Sequence, residues 1–464
     1  MTFREKKLGA FSLAMIAIGS IVTVRTLPEL AVFGASITLT VLIAACLFLM
    51  PCVLASIDLS TKFPDGVGAV TWARYLFGDK TALFTAYVEL ATNVALLPLI
   101  VFFIVGNFLQ LISPLFQYSK MLFSFFSVVL VFLAVWINLR GLKASTVVAS
   151  LCSILGVGVP IFIILLFSLI WVFYSGDVLH VDLSPAAFIP DFRGSAYLSS
   201  FIAAVLSFAG VEVITVHAQN INAKVIKRQY TIAFAALILF AVFAYTIGPL
   251  GIASVVPKNK ISFASGITQV LTVFFASVDA KYLLYPIVIL MCFGAFGALS
   301  NWTIATIKPL FYASKEGLCT AKLAQENSYG APKLLLVIEG LIVALIALSA
   351  AIFPTINDCF WFVTTICTQN AVILALVFFA CHIKHLLAIK KCLLSVFLKI
   401  FLAIAGMLVS FLTIYTGFIP NPQSSFANNK TAYAMLVIGT LIASWVPVIF
   451  LYLSKSKSCL KNHA

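Results

Sequence analysis

The sequence predicts an all-α integral membrane protein with about twelve transmembrane helices, and three observations carry that prediction. Of the 464 residues, 62% are hydrophobic and only 9% charged, whereas a soluble domain carries roughly a quarter charged residues. A chain this long could not cover a water-facing surface with so few. Apolar runs of about 20 residues, the helix length that crosses hydrocarbon, recur along the chain. These runs are uniform and not alternating, which excludes a transmembrane barrel. Lipid leaves helices as the way to pair every backbone group.

The first run, Leu8–Leu27, follows Arg4, Lys6 and Lys7 and continues into Arg25 and Pro28 with no small-residue cleavage site. It therefore reads as a retained span and not a removed signal peptide. Ala35–Ile57, Ala82–Ile112, Met121–Asn138, Val147–Tyr174 and Tyr197–Val216 complete the first six. Tyr230–Val256, Tyr282–Ile307, Leu334–Phe353, Phe360–Ile383, Ile400–Phe418 and Ala432–Leu453 make the second six. The longest gap, around Ser314–Pro332, is too short to fold alone. Residues 1–464 thus read as a single transmembrane domain.

Loop charge supports the count. With these spans, 22 of the 29 Lys and Arg residues fall on one side, six on the other, and Arg25 inside a span. The positive-inside rule then places both termini in the cytoplasm, and short loops with a Lys- and Phe-heavy composition suit a bacterial inner membrane. The net charge of +14 comes from these scattered loop patches, not from a basic face interleaved with aromatics, so nucleic acid is not an expected partner. The ten Cys stand singly, without CxxC or Cys/His spacing. Neither a disulfide framework nor a metal site is indicated, and no cofactor is implied.

Polar and helix-breaking residues at membrane depth mark candidate sites. Span one carries Gly19-Ser20 near its middle, followed by Arg25. Span six reads Leu206-Ser207-Phe208-Ala209-Gly210-Val211-Glu212, a second small-residue break with a carboxylate just beyond it. The two breaks lie five spans apart, where a five-plus-five inverted repeat places its counterparts. Paired discontinuous helices are the best sequence-level pointer to a transporter site, although small residues also serve close helix packing. On span three, Glu89, Thr92 and Asn93 share a face by their three- and four-residue spacing. Span eight ends with Asn301-Trp302-Thr303 and then Lys308, and Trp302 can be a gate, a stacking wall or an interfacial anchor. Span ten adds Gln369 and Asn370.

These residues resemble the amino acid–polyamine–organocation superfamily in its bacterial amino-acid antiporter branch, the glutamate:γ-aminobutyrate antiporters first and the arginine/agmatine antiporters next. The resemblance rests on Phe188-Ile189-Pro190-Asp191-Phe192, on Leu206 to Glu212, and on Ser300-Asn301-Trp302, Lys308, Tyr312 to Leu318 and Gly330-Ala331-Pro332. It implies a LeuT-type core of ten spans in two inverted repeats over residues 8–383, with two additional spans over 400–453. It would place substrate backbone groups against Gly19, Ser20, Ser207, Phe208, Ala209 and Gly210. Asn93 and Trp302 would line the side-chain end, and Glu212 would act in proton coupling or gating. Arg25, Glu89 and Lys308 are further candidates for charge selectivity. The chain departs from the superfamily in having only Ile18-Gly19-Ser20 at its first break, in Arg25, and in a short tail after Leu453.

The expected function is amino-acid transport, as glutamate/γ-aminobutyrate-like exchange by alternating access. Arginine/agmatine-type exchange and proton-coupled uptake are the alternatives within transport; a channel or non-transporting sensor is the alternative outside it. An enzyme would need clustered catalytic groups, and the five His lie outside spans or at their ends. The expected partners are small-molecule amino acids or amines and the lipid bilayer; a homodimer is left open.

Overall fold

The computed structural model describes residues 9–64, 68–116, 119–140, 158–174, 179–192, 194–211, 214, 215, 218, 221, 225–389 and 394–461. Each expected run coincides with helix among them. The first is split into α1 (Ala10–Ile21) and α2 (Leu27–Ala31). The second joins α3 (Ile37–Ala44) to α4 (Met50–Lys62) through a π-helical turn at Ala45–Leu49. After α5 (Gly68–Phe77) come α6 (Asp79–Ile112), α7 (Lys120–Leu139), α8 (Val159–Tyr174) and α9 (Ser195–Phe208). The second half runs through α10 (Ile226–Val255), α11 (Gly266–Ser277), α12 (Leu284–Lys315), α13 (Lys333–Ser349) and α14 (Ile356–Leu387), and α15 (Leu394–Thr416) and α16 (Lys430–Lys461) follow.

Nine helical stretches among the described residues are long and apolar enough to cross a membrane. The other three expected spans coincide with α8, α9 and α13, of 16, 14 and 17 residues. Residues 147–157 of the fifth span lie outside the described residues. Two boundaries differ for one reason, a backbone break inside the run: the first span continues past its break to Ala31, and α9 stops at Phe208, short of Val216. The short helices α5 and α11 follow the second and the seventh spans; neither reaches the roughly 20 apolar residues of a full span.

Large apolar side chains face outward around the bundle, among them Leu239 on α10, Phe293 on α12, Leu345 on α13 and Leu408 on α15. Such a surface is adverse in water and natural against lipid tails. The helices with polar residues at depth, α6 and α14, run through the middle: 72% and 83% of their apolar windows are buried, against 17% for α16.

Polar side chains pin the peripheral pieces. Asn107 on α6 donates to the carbonyl of Ala264 at 2.8 Å and accepts from the amide and hydroxyl of Thr268. That ties α11 to the bundle where Gly106 lets the backbones meet: a Cβ there would lie 2.6 Å from that of Ala264. Thr355 caps α14 by accepting from the Asp358 amide, and the Asp358 carboxylate accepts hydrogen bonds from Thr355, Ser424 and Ser425, which docks the loop before α16. Asp58 on α4 accepts from Lys399 of α15 at 2.7 Å and lies 3.0 Å from His382 of α14, joining three helices.

Candidate functional site

Helix α1 ends within Ile21-Val22-Thr23-Val24, four β-branched residues whose stiff side chains favour extended backbone. Val22 and Thr23 are extended, at φ −83°, ψ 111° and φ −123°, ψ 137°. The amide of Thr23, which would bond the Gly19 carbonyl in a continued helix, is instead given to the hydroxyl of Tyr245 at 3.1 Å. The same hydroxyl donates to the Ile21 carbonyl at 2.7 Å. The Gly19 carbonyl thereby loses its helical donor and stands at a cavity wall.

Helix α9 breaks at the place the sequence marked. Ala209 is extended, and Gly210 takes φ +95°, where a side chain is strained. Beyond the break, Tyr230 donates to the carbonyls of Ile214 and Thr215 at 3.3 and 3.4 Å. One helix, α10, therefore carries both latches, Tyr245 for the first break and Tyr230 for the second. Tyr245 also packs edge-on against Phe208, with ring centroids 5.8 Å apart. The breaks touch directly, since a Cβ on Gly210 would lie 3.7 Å from Cδ1 of Ile21.

Between them is a cavity of about 150 Å³, smaller than the roughly 300–1,000 Å³ of drug-sized sites and suited to a small metabolite. Gly19, Ser20, Asn93, Ser207, Phe208, Ala209, Gly210 and Trp302 all line it, as do Arg25 and Glu89. The hydroxyls of Ser20 and Ser207 donate back to Ile16 and Ala203, each four residues earlier. Their hydrogens are committed, so these hydroxyls offer the cavity only lone pairs, beside the backbone carbonyls at the ends of α1 and α9. Both α1 and α9 point their C-terminal ends at the cavity, and such ends carry partial negative charge.

Arg25 is the one cation among the lining residues and Glu89 the one carboxylate. Arg25 is 8% exposed, and its Nη1 lies 3.7 Å from Oε1 of the buried Glu29. Thr364 donates to the other oxygen of Glu29 at 3.1 Å. Nη1 is enclosed on the Glu29 side and makes no hydrogen bond, while Arg25 as a whole lines the cavity. Lys308 is exposed on α12, six residues past Trp302, and takes no part in the lining. Glu212 lies outside the described residues.

Three residues that matter here carry little or no local sequence signal for their roles. Tyr230 and Tyr245 sit in a uniformly apolar run, where a Tyr is unremarkable. Glu339, buried in α13, did have a signal: it is the lone carboxylate in the run that starts at Leu334.

A family model for amino acid permeases matches residues 8–441. The chain belongs to the amino acid permease family. A protein described as an uncharacterized transporter from Legionella pneumophila is 26% identical, covering 97% of both chains. A glutamate/gamma-aminobutyrate antiporter of Lactococcus lactis is 23% identical, over 98% of this chain and 92% of its own. Among solved structures, a manganese transporter of Eremococcus coleocola in complex with an aromatic bis-isothiourea substituted compound aligns with a TM-score of 0.46, 13% identity and 96% coverage of both chains. This amino acid permease is a multi-pass transporter of amino acids, and its family is not one of enzymes.

Proposed function

We propose that this permease exchanges amino acids across a bacterial inner membrane by alternating access, with glutamate and γ-aminobutyrate or close analogues as its substrates. One observation carries the reading: two broken helices meet at a single amino-acid-sized cavity that offers carbonyl ends on one side and the Arg25 guanidinium on another. An α-ammonium suits the carbonyl ends of α1 and α9; a carboxylate suits the positive charge of Arg25 in the lining. Asn93 and Trp302 bound the side-chain end. The antiporters from Lactococcus lactis, at 22–23% identity over nearly the whole chain, support the same substrate class.

The ten spans to residue 383 form two inverted repeats, a reading supported by the matched positions of the breaks and of α5 and α11, and both termini are cytoplasmic. Glu212, just beyond the second break, gates the cavity in a proton-sensitive way. Glu212→Gln then alters the pH dependence of exchange, and an unchanged profile in that variant removes this role.

Counterflow in proteoliposomes tests the reading. Vesicles are loaded separately with glutamate, γ-aminobutyrate, arginine, agmatine or a neutral amino acid, and labelled glutamate is offered outside. Uptake that requires internal glutamate or γ-aminobutyrate supports the assignment. Uptake that requires arginine or agmatine moves the chain to the other exchange type, and uptake into empty vesicles removes obligate exchange.

A further inference from the structure

Glu339 has no part in the site described above, yet it is 2% exposed within a membrane-spanning helix. It stands six residues from the start of α13 at Lys333, roughly 9 Å along the helix axis. Neither carboxyl oxygen makes a hydrogen bond among the described residues. The Thr306 hydroxyl of α12 faces the carboxyl without good bonding geometry, and its hydrogen goes to the Trp302 carbonyl at 2.7 Å. Thr306 can therefore offer Glu339 only a lone pair, and only a carboxyl carrying a proton can use one.

The charged groups on the packed helices are exposed or engaged elsewhere. Glu339 shares the lining of a small void with Leu97 of α6, Val131 and Val135 of α7, and Leu299 and Thr303 of α12; none is charged. On α6, Glu89 lines the central cavity. At the ends of α7, Lys120 donates to the Phe353 carbonyl and Arg140 stacks on Trp136. On α12, Lys308 is exposed and Lys315 pairs with Glu326. An ionised carboxylate here would lack both counter-charge and hydrogen bond, which is strongly unfavourable in a low-dielectric interior.

Glu339 borders a void of about 10 Å³, at the lower limit of what holds one water. The walls beside it are tight: a Cβ on Gly340 would lie 2.6 Å from Cγ2 of Val135. We propose that Glu339 is a proton-binding site of the transport cycle, lodged where α6, α7, α12 and α13 meet and separate from the amino-acid cavity. With its proton on, the interface packs closed around it. Releasing the proton leaves a charge that needs water, and water enters only if α7, α12 and α13 move apart. Thr306 and Trp302 link that motion to the cavity, because the carbonyl that accepts from Thr306 belongs to the residue whose side chain borders it.

This inference rests on the cavity being the amino-acid site, and the test separates the two. Wild type and Glu339→Gln, a neutral isostere of the protonated group, are reconstituted together. Each is assayed for glutamate counterflow, which needs no driving force, and, in vesicles loaded with γ-aminobutyrate, for glutamate accumulation under an inward proton gradient. The expected result is counterflow by both proteins, with gradient-driven accumulation present in wild type and lost in Glu339→Gln. Accumulation undiminished in the variant overturns the proposal, as does counterflow by wild type without gradient-driven accumulation. Absence of glutamate counterflow in wild type overturns the cavity reading instead. The proton site then stands or falls on infrared spectra of wild type in H2O and D2O: a buried protonated carboxyl band that is missing from Glu339→Gln supports it, and identical spectra overturn it. The same spectra decide the case if the variant does not reconstitute, since wild type showing no protonated carboxyl band overturns the proposal.

Discussion

The hydroxyl of Tyr245 donates to the carbonyl oxygen of Ile21 at 2.7 Å, across 224 residues of sequence. The Tyr245 hydroxyl oxygen in turn accepts from the Thr23 amide, so one side chain satisfies two of the backbone groups that the break in the first span releases. Tyr245→Phe leaves a buried carbonyl and a buried amide without partners, each worth roughly 1–3 kcal/mol. The variant should melt at a lower temperature and lose most of its counterflow. Wild-type values for both would mean the break holds without this latch.

Gly210 acts through backbone geometry. Its φ of +95° is strained for any L residue, by roughly 1–2 kcal/mol, while an added methyl meets only Ile21 at an ordinary 3.7 Å. Gly210→Ala should therefore express and fold, with transport impaired well beyond its modest loss of stability. Thermal unfolding alongside counterflow checks this, and full transport by Gly210→Ala would show that the positive φ is dispensable.

Arg25 has two duties that a pair of variants can separate. Arg25→Met alone strands the buried Glu29, a change of about 3–5 kcal/mol for a broken buried pair. Adding Glu29→Gln removes the stranded charge and should recover much of the stability. Glutamate affinity should stay roughly tenfold or more below wild type in the double variant, since a charge-assisted hydrogen bond contributes about 1.5–3 kcal/mol. Titration calorimetry reads this directly; restored glutamate affinity would confine Arg25 to a structural role.

Asp358 provides a control far from the chemistry. It accepts from Thr355, Ser424 and Ser425 at 2.7–3.0 Å, and Asp358→Ala releases the loop that precedes α16. The melting temperature should fall, by an amount matching roughly 2–4 kcal/mol for several such bonds, while glutamate affinity in the folded fraction is kept. A large loss of affinity at unchanged stability would contradict the division between scaffold and site.

Much of this was legible in the chain because membrane helices announce themselves by length and polarity, and helix breaks by Gly and small residues. Gly19-Ser20 and Ser207–Gly210 could be marked for that reason, as could the pairing of Arg25 with Glu29, four residues apart on one helical face. The short helices α5 and α11 could not, since hydropathy over a 20-residue window averages them away. The roles of Tyr230 and Tyr245 depend on tertiary proximity, which no local pattern encodes. Glu339 was visible as a charge in an apolar run, but its isolation follows only from what α6, α7 and α12 place around it. Lys308 shows the converse, a charge six residues from Trp302 in sequence that the turn of α12 carries to the exposed face.

The central claim is that the amino acid sits between the two breaks, and the most direct measurement is a structure of the reconstituted permease with glutamate bound. The account predicts ligand density in the cavity, with its ammonium against the carbonyl ends of α1 and α9, a carboxylate at Arg25, and Asn93 and Trp302 at the far end. Glutamate bound elsewhere, with the space between Gly19 and Gly210 unoccupied, would contradict it.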